Sequence, residues 1–593
     1  MAGLTFLACA NLPGGDGHDR ASSGASTVLQ PGDDFQSALD AARPGDVISL
    51  PAGAVFTGPF TLPNKSGVDW ITIRSSSPDS RLPPPGTQAA PIYSGAMPKL
   101  ESESASVITA APGAHHYRFI GIEIRPRPGA FLFNLVSLGS AETSVNDVPH
   151  HIVFERCYLH GDPVVGARRG IALNSAASAV LDSYLSDFKE VGADSQAIGG
   201  WNGPGPFQIE NNYLEGAGEN ILFGGSDPSI PGLVPSDIEI KGNHFVKPLS
   251  WKIGDAAYAG KPWTVKNLLE LKNARRVVVD GNVFENNWPH AQTGFAILFT
   301  VRNQDGAAPW SVVEDVTFSN NVVRGTASGV NVLGHDDLHP SGQTRRITIR
   351  NNLFIDVGAK PWGGAGRLFQ VLDGTADVVV EHNTGVHTGN LITADGRPNS
   401  GFVFRDNIGF QNAYGIRRLL PGRGRSSQRS RRGPFLPVPA RQLLSLIRGR
   451  GRLRRPVGRE LPPGAGQPLQ GIRDGRDGRG WRHRDHQGNP AAEASRGRMT
   501  PGQTRSRRPA SQERRRTPVQ QVMRRAPLTR LFSGIQSPLA RALERLAPES
   551  ARIRSEWRRL LRSLAPSRTE FDLLADLDVR AHLRHLRSSD YDA

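Results

Sequence analysis

An all-β solenoid, a parallel β-helix, is the fold predicted for residues 30–415, and three observations predict it. One short phrase recurs, its apolar positions alternate with period two, and no helical pattern separates the copies. The phrase is three alternating apolar positions, two polar residues, Asn, any residue, then an apolar one. It appears as "FQIENNYL" (207–214), "IEIKGNHF" (238–245), "VVVDGNVF" (277–284), "VTFSNNVV" (316–323), "ITIRNNLF" (347–354), "VVVEHNTG" (378–385) and "FVFRDNIG" (402–409). Two looser copies, "IVFERCYL" (152–159) and "AVLDSYL" (179–185), carry Cys157 and Ser183 at the Asn position. The nine key positions are separated by 26, 29, 31, 39, 39, 31, 31 and 24 residues. Self-similarity at such a period marks a solenoid, because a repeat too short to bury its own apolar face must stack on its neighbours.

Each phrase reads as a strand with one face in a core. The Asn is expected at a tight corner, where it tolerates left-handed backbone and where stacked amides can bond in a ladder. A second strand follows each phrase after a variable loop: "ENILFGG" (219–225), "NLLELKN" (267–273), "AILFTVR" (296–302), "GVNVLG" (329–334), "RLFQVLD" (367–373) and "GNLITAD" (389–395). The longer spacings are loop insertions on one side. At the start, "DDFQSALDAARPGDVISLPAGAVFTGPFTLP" (33–63) predicts a helix with Phe35, Leu39 and Ala42 on one face and Pro44-Gly45 as its stop. Strand-like pieces follow at 46–50 and 55–62, and the helix would cover the open end of the solenoid.

The opening "F-x-x-A-L-x-x-A-x-P-G-D-x-I-x-L-P-A-G" and the Asn-bearing phrases resemble the right-handed parallel β-helix proteins of the pectate-lyase-like superfamily, over roughly residues 30–415. That fold hosts lyases, hydrolases, epimerases and non-catalytic adhesins, so it does not by itself assign a function. The resemblance implies an extended polysaccharide groove along one sheet, built from the strand after each variable loop. By alternation, Glu270 and Lys272 point out of "NLLELKN", and Thr300 and Arg302 out of "AILFTVR". Glu219 and Asn220 open another strand; His335, Asp336 and Asp337 close the next, with Asp373 and Asp395 at later ends.

Two chemistries could use that strip. A uronate lyase needs a cation, Ca²⁺ among the candidates, held by carboxylates such as Asp336 and Asp337. It also needs a base to remove the acidified proton, for which Lys272 or Arg302 would suit. A glycoside hydrolase needs two carboxyl groups flanking the bond, which Asp336 and Asp337 with Glu270 or Asp373 could supply. Neither has a specific motif: the Asn-Thr-Asp and Gly-His-Gly set of polygalacturonases is missing, as are the calcium and arginine patterns of the best-known pectate lyases. Trp201, Trp251, Trp263, Trp288, Trp310 and Trp362 lie in loops, where they could stack on sugars or plug seams beneath the loops. Glu219, Glu270, His335, Asp373, Trp251 and Trp263 are the expected substrate contacts. His115-His116, His150-His151, His382 and His387 read as scattered, with no metal site expected from them. The readings open at this point are a secreted polysaccharide lyase or hydrolase, a non-catalytic glycan- or surface-binding β-helix, and a purely structural repeat protein.

The formal charge of +16 belongs to the tail alone. Residues 1–415 hold 30 Lys+Arg against 40 Asp+Glu, and residues 416–593 hold 41 against 15, every cation of the latter an arginine. Arg without Lys is unlike a phosphate-binding face, where lysine also serves as a point charge. The segment 416–530 reads as disordered and Arg/Pro/Gly-rich. Back-translated with GC-rich codons and shifted by one base, "RELPPGAGQPLQG" (459–471) becomes a Gly-Asn-Tyr-Arg-Leu-Ala-Pro-Gly-Ser-Pro-Tyr-Lys phrase, so a frameshift is expected there. Residues 531–593 regain a helical period. Nucleic acid is therefore not an expected partner; a polysaccharide and a monomeric state are. The only cysteines, Cys9 and Cys157, form no disulfide framework, and no apolar run is long enough to span a membrane. Residues 1–29 read as a flexible start, a possible remnant of an export signal.

Overall fold

The structure, a computed structural model, describes residues 24–412 and 414–419. The chain winds as a parallel β-helix of three sheets, with 13, 12 and 12 strands. Sheet 1 runs from Ser26–Val28 to Val403–Arg405, sheet 2 from Val55–Thr57 to Ile408–Gly409, and sheet 3 from Phe60–Leu62 to Ile416–Leu419. One coil shows the plan: Phe207–Glu210 lies in sheet 1, Tyr213–Gly216 in sheet 2 and Glu219–Phe223 in sheet 3. Each strand pairs in parallel with its counterparts in the neighbouring coils, as Ile209 does with Val180 and Ile240.

The recurring phrase is thus not one strand. It bends at its Asn, and the apolar residue after it starts sheet 2. Asn212 and Asn243 close the corner with two bonds, Asn212 N and Nδ2 donating to Asn243 Oδ1 at 2.9 Å each. The same pair of bonds continues through Asn282, Asn321, Asn352, Asn383 and Asn407. Ser183 and Cys157 extend the column with single bonds, Ser183 N to Asn212 Oδ1 and Cys157 N to Ser183 Oγ. The left-handed residue is the one before the ladder position: Asn211, Gly242, Gly281, Asn320, Asn351 and His382 all have φ between 54° and 69°. The physical reason is a division of labour. The preceding residue reverses the chain, and the ladder Asn then points its amide into the coil.

The inward residues of all three sheets form one cluster from Leu29 to Ile392. Aromatics stack within it at coil spacing, Phe119 on Phe154 at 4.9 Å and Phe245 on Phe284 at 4.3 Å. The helix Phe35–Ala41 closes the first coil, with Asp34 capping its N-terminus and Phe35 edge-on to Phe60 at 4.8 Å. Gln36 exchanges two hydrogen bonds with the backbone of Thr61, so it also satisfies the free edge of sheet 3. Cys9, the shifted-frame stretch and the expected C-terminal helices lie outside the described residues.

Candidate functional site

The outward face of sheet 3 is set by its register. Ile221, Leu269, Ile297 and Val330 align and face the core, as do Phe223, Leu271, Phe299 and Val332. Between them, Leu222, Glu270, Leu298 and Asn331 align on the other face. One step further along, Thr300 pairs with Leu333, and Lys272 follows the end of its strand at Leu271. The floor of the expected groove is therefore the strip that alternation predicts. Its walls are the long connections between sheets 2 and 3, such as 247–268, and those between sheets 3 and 1, such as 301–312 and 334–344.

Lys272 stands on this floor. Its Nζ is 3.9 Å from Glu270 Oε1, an ion pair beyond hydrogen-bonding reach. Glu270 itself accepts from Asn267 Nδ2 at 3.0 Å and from Thr300 Oγ1 at 3.4 Å. Arg302 follows on the next coil, its backbone N–H donating to Lys272 O at 2.9 Å. The Arg302 guanidinium pairs with Asp336 Oδ1 at 2.7 Å and with Asp337. Asp336 also accepts from the backbone N–H groups of Asn303 and Leu338. Burial alone would raise its carboxyl, but those two amides and Arg302 hold it below the usual range.

These commitments test a calcium site. Oδ1 of Asp336 is taken by Arg302 and Leu338, Oδ2 by Asn303, and its side chain is 1% exposed. Asp337 spends an oxygen on the same guanidinium. A hard cation gathers six to eight oxygens, and the Arg302 guanidinium already holds the place beside both carboxylates, so this pair as arranged does not fit one. Glu219 lies fully buried under the sheet 2–3 connections, with Oε1 2.8 Å from the ammonium of Lys266 and Oε2 accepting from Gln196. Lys266 reaches Asp194 as well, at 2.6 Å. Burial opposes its charge, but Glu219, Glu270 and Asp194 outweigh that and raise its pKa. A built-in ammonium therefore stands among these carboxylates.

The remaining expected contacts are placed differently. His335 lies near Asp373 and Arg397, and burial followed by Arg397 lowers its pKa. Trp251 and Trp263 are 3% and 4% exposed and pack with Ala217, Val265 and Trp288 inside the wall. Lys189 Nζ sits 5.6 Å and 5.1 Å from their ring centres, a cation–π arrangement that uses the faces a sugar would need. Sequence reasoning missed the rest of the polar strip: Arg169, Gln196, Lys266 and Asn267. Arg169 donates to Asn134 and Gln196, linking them to Glu219. Burial, then Arg168, brings its pKa down to about 10. Glycine and alanine in "RGIAL" and "QAIGG" erase the alternation that would have exposed these coils. Counting back three residues from Glu270 would have found Asn267.

No protein-family model matches the sequence, and no curated protein does. Among solved structures the chain is similar to pectate lyase Pel9A, at 14% identity over 57% of this chain and 77% of that one, with a TM-score of 0.32. It is similar to the Streptococcus pneumoniae surface protein and adhesin PfbA, at 11% identity over 65% and 94%, TM-score 0.39. A third is the PL6 family alginate lyase AlyGC, at 14% identity over 67% and 51%, TM-score 0.36. The likeness is one of fold.

Proposed function

We propose that this β-helix acts on polysaccharide along the outward face of sheet 3, by β-elimination of an acidic, uronate-containing chain. The observation that carries the reading is Lys272, whose amine stands on the groove floor with its nearest carboxylate 3.9 Å away, beside Arg302 just past the end of the adjoining strand. Elimination needs a base for the proton next to the substrate carboxylate, and positive charge where that carboxylate gathers electrons. The Lys272 amine takes the proton, the electron pair closes the carbon–carbon double bond, and the glycosidic carbon–oxygen bond breaks, its oxygen protonated by solvent. Arg302 faces the substrate carboxylate, and Asp336 and Asp337 fix its guanidinium. Glu270 orients Lys272, and the His335–Asp373–Arg397 group forms a contact further along the strip. Hydrolysis is the poorer fit, since a general acid needs a raised pKa and Asp336 is held down.

A second reading, attachment to glycans or surfaces without turnover, is favoured by the prior commitment of Arg302 to two aspartates. Either role places the protein outside the cytoplasm, where such polymers occur, and needs only a monomer. Among the described residues no helix is long and apolar enough to cross a membrane. The test is release of unsaturated uronides, followed by ultraviolet absorbance, from alginate, pectate and glycosaminoglycans. Lys272→Ala is expected to lower the rate by about 100-fold or more with the fold intact. Retention of polymers without any product would replace the lyase reading with the binding one, and neither binding nor turnover would end both.

A further inference from the structure

The doublets His115-His116 and His150-His151, distant in sequence, begin neighbouring strands of sheet 1, with His115 and His150 in register. Their rings stack in two columns. His115 lies on His150 at 4.6 Å and His116 on His151 at 4.5 Å, each 6° from parallel. Within each doublet the two Nδ1 atoms face each other at 2.7 Å. One ring nitrogen from each of His115, His116 and His150 lies within 4.8 Å of the others. All four residues are half-buried, and Trp70 packs edge-on against His116 and His151.

The same corner in later coils shows what is particular here. The equivalent doublets are Arg275-Arg276, Glu314-Asp315 and Arg345-Arg346, preceded by Ser236-Asp237. Their second residues have φ of 53°, 56°, 55° and 58°, against 58° and 53° for His116 and His151. Left-handed backbone is thus a general device of this corner and marks no site. The side chains differ. Later coils set opposite charges on adjacent rungs, as in Arg276 with Asp237 and Arg346 with Asp315. The histidine coils set like on like, ring over ring. Uncharged imidazole is the ligating form. Two Nδ1 atoms at 2.7 Å share at most one proton, so each doublet keeps a lone pair aimed at its neighbour.

We propose that this stack is a binding site for one divalent transition-metal ion of the zinc, nickel and copper class. His115, His116 and His150 supply the nitrogens, and solvent fills the open position. His151, hydrogen-bonded to His150 and stacked on His116, fixes both rings. Tetrahedral coordination at the usual zinc–nitrogen distance sets ligand nitrogens roughly 3.3 Å apart, so the facing pair opens slightly and His150 closes in. The site lies on sheet 1 and does not depend on the polysaccharide reading of sheet 3.

The test is calorimetric titration of the full, untagged, chelator-treated chain with Zn²⁺, Ni²⁺ and Cu²⁺. One equivalent is expected, with a dissociation constant of about 10 µM or tighter, and nitrogen hyperfine structure from at least three imidazoles in the Cu²⁺ spin-resonance spectrum. His116→Gln and His150→Gln are each expected to weaken binding by about 10-fold or more, with unchanged circular dichroism. His382→Gln, elsewhere on the solenoid, is expected to leave it unchanged. Should either stack variant fail to fold, a metal-induced rise in the wild-type melting temperature, reversed by chelator, together with the spectrum decides. Absence of binding, loss of affinity equal in His382→Gln, or fewer than three coordinated imidazoles would overturn the proposal.

Discussion

Glu215 shows how a single buried group couples this fold to pH. It accepts from Tyr213 Oη at 2.8 Å and from the backbone N–H of Asp187 at 3.3 Å. Burial, and then the charge of Asp187, push its carboxyl up to about 7 from an ordinary 4.5. A carboxyl raised on folding holds its proton longer in the folded chain than in the unfolded one. The stability it adds is complete below pH 4.5 and is lost as the pH rises through 7. Glu215→Gln should therefore flatten urea-measured stability between those values and leave the variant more stable than the parent at pH 8. An unchanged slope would show that Glu215 is ionised in the fold. Cys157 makes a simpler case. Fully buried, its thiol is pushed up to about 12, so alkylating reagents should label it only on unfolding, a difference that mass spectrometry reads directly.

At the level of the element, the Asn column is the main repeating polar device. Asn321 accepts from the backbone and side chain of Asn282, and donates from its own amide to Val279 O and Asn352 Oδ1. Truncation strands several buried partners at once. Asn321→Ala should cost about 2–4 kcal/mol in chemical denaturation. Ser183→Ala, which leaves fewer partners bare, should cost less, and equal costs would deny the column any cooperative worth. The column was legible in the sequence because one residue type recurs at coil spacing. The left-handed position before it was not, because Arg156, Asp182, Asn211, Gly242 and His382 share no side-chain chemistry, only backbone angle. The short strands of sheet 2 were hidden for a related reason: each begins within the phrase that seemed to be one strand. On sheet 3, alternation puts Glu270 on the outward face, where the register aligns it with Leu222, Leu298 and Asn331. It misses Lys266, which enters from a connection, and the stacked histidines, whose two doublets lie one coil apart.

For the whole molecule, stability is a sum of contacts between adjacent coils, so a part of the solenoid need not depend on distant sequence. A chain ending at Leu419 is expected to keep the solenoid's unfolding free energy in urea to within about 0.5 kcal/mol of the full chain's. Loss of the cooperative transition would show that later residues belong to the folded unit. Shortened so, the protein would also trade a basic net charge for an acidic one, and its retention would pass from cation to anion exchangers. The three corners of the coil share the burden unequally. The Asn corner keeps one length, while the connection at 247–268 carries more than twenty residues between strands that still pair in register with both neighbours. One side of the rod is thus a fixed spine and the other a row of sockets. Doubling a loop there adds only about 0.6 kcal/mol of closure entropy. A foreign recognition loop could be seated in that row without disturbing the spine, making the solenoid a chassis for presenting binding segments at a set pitch.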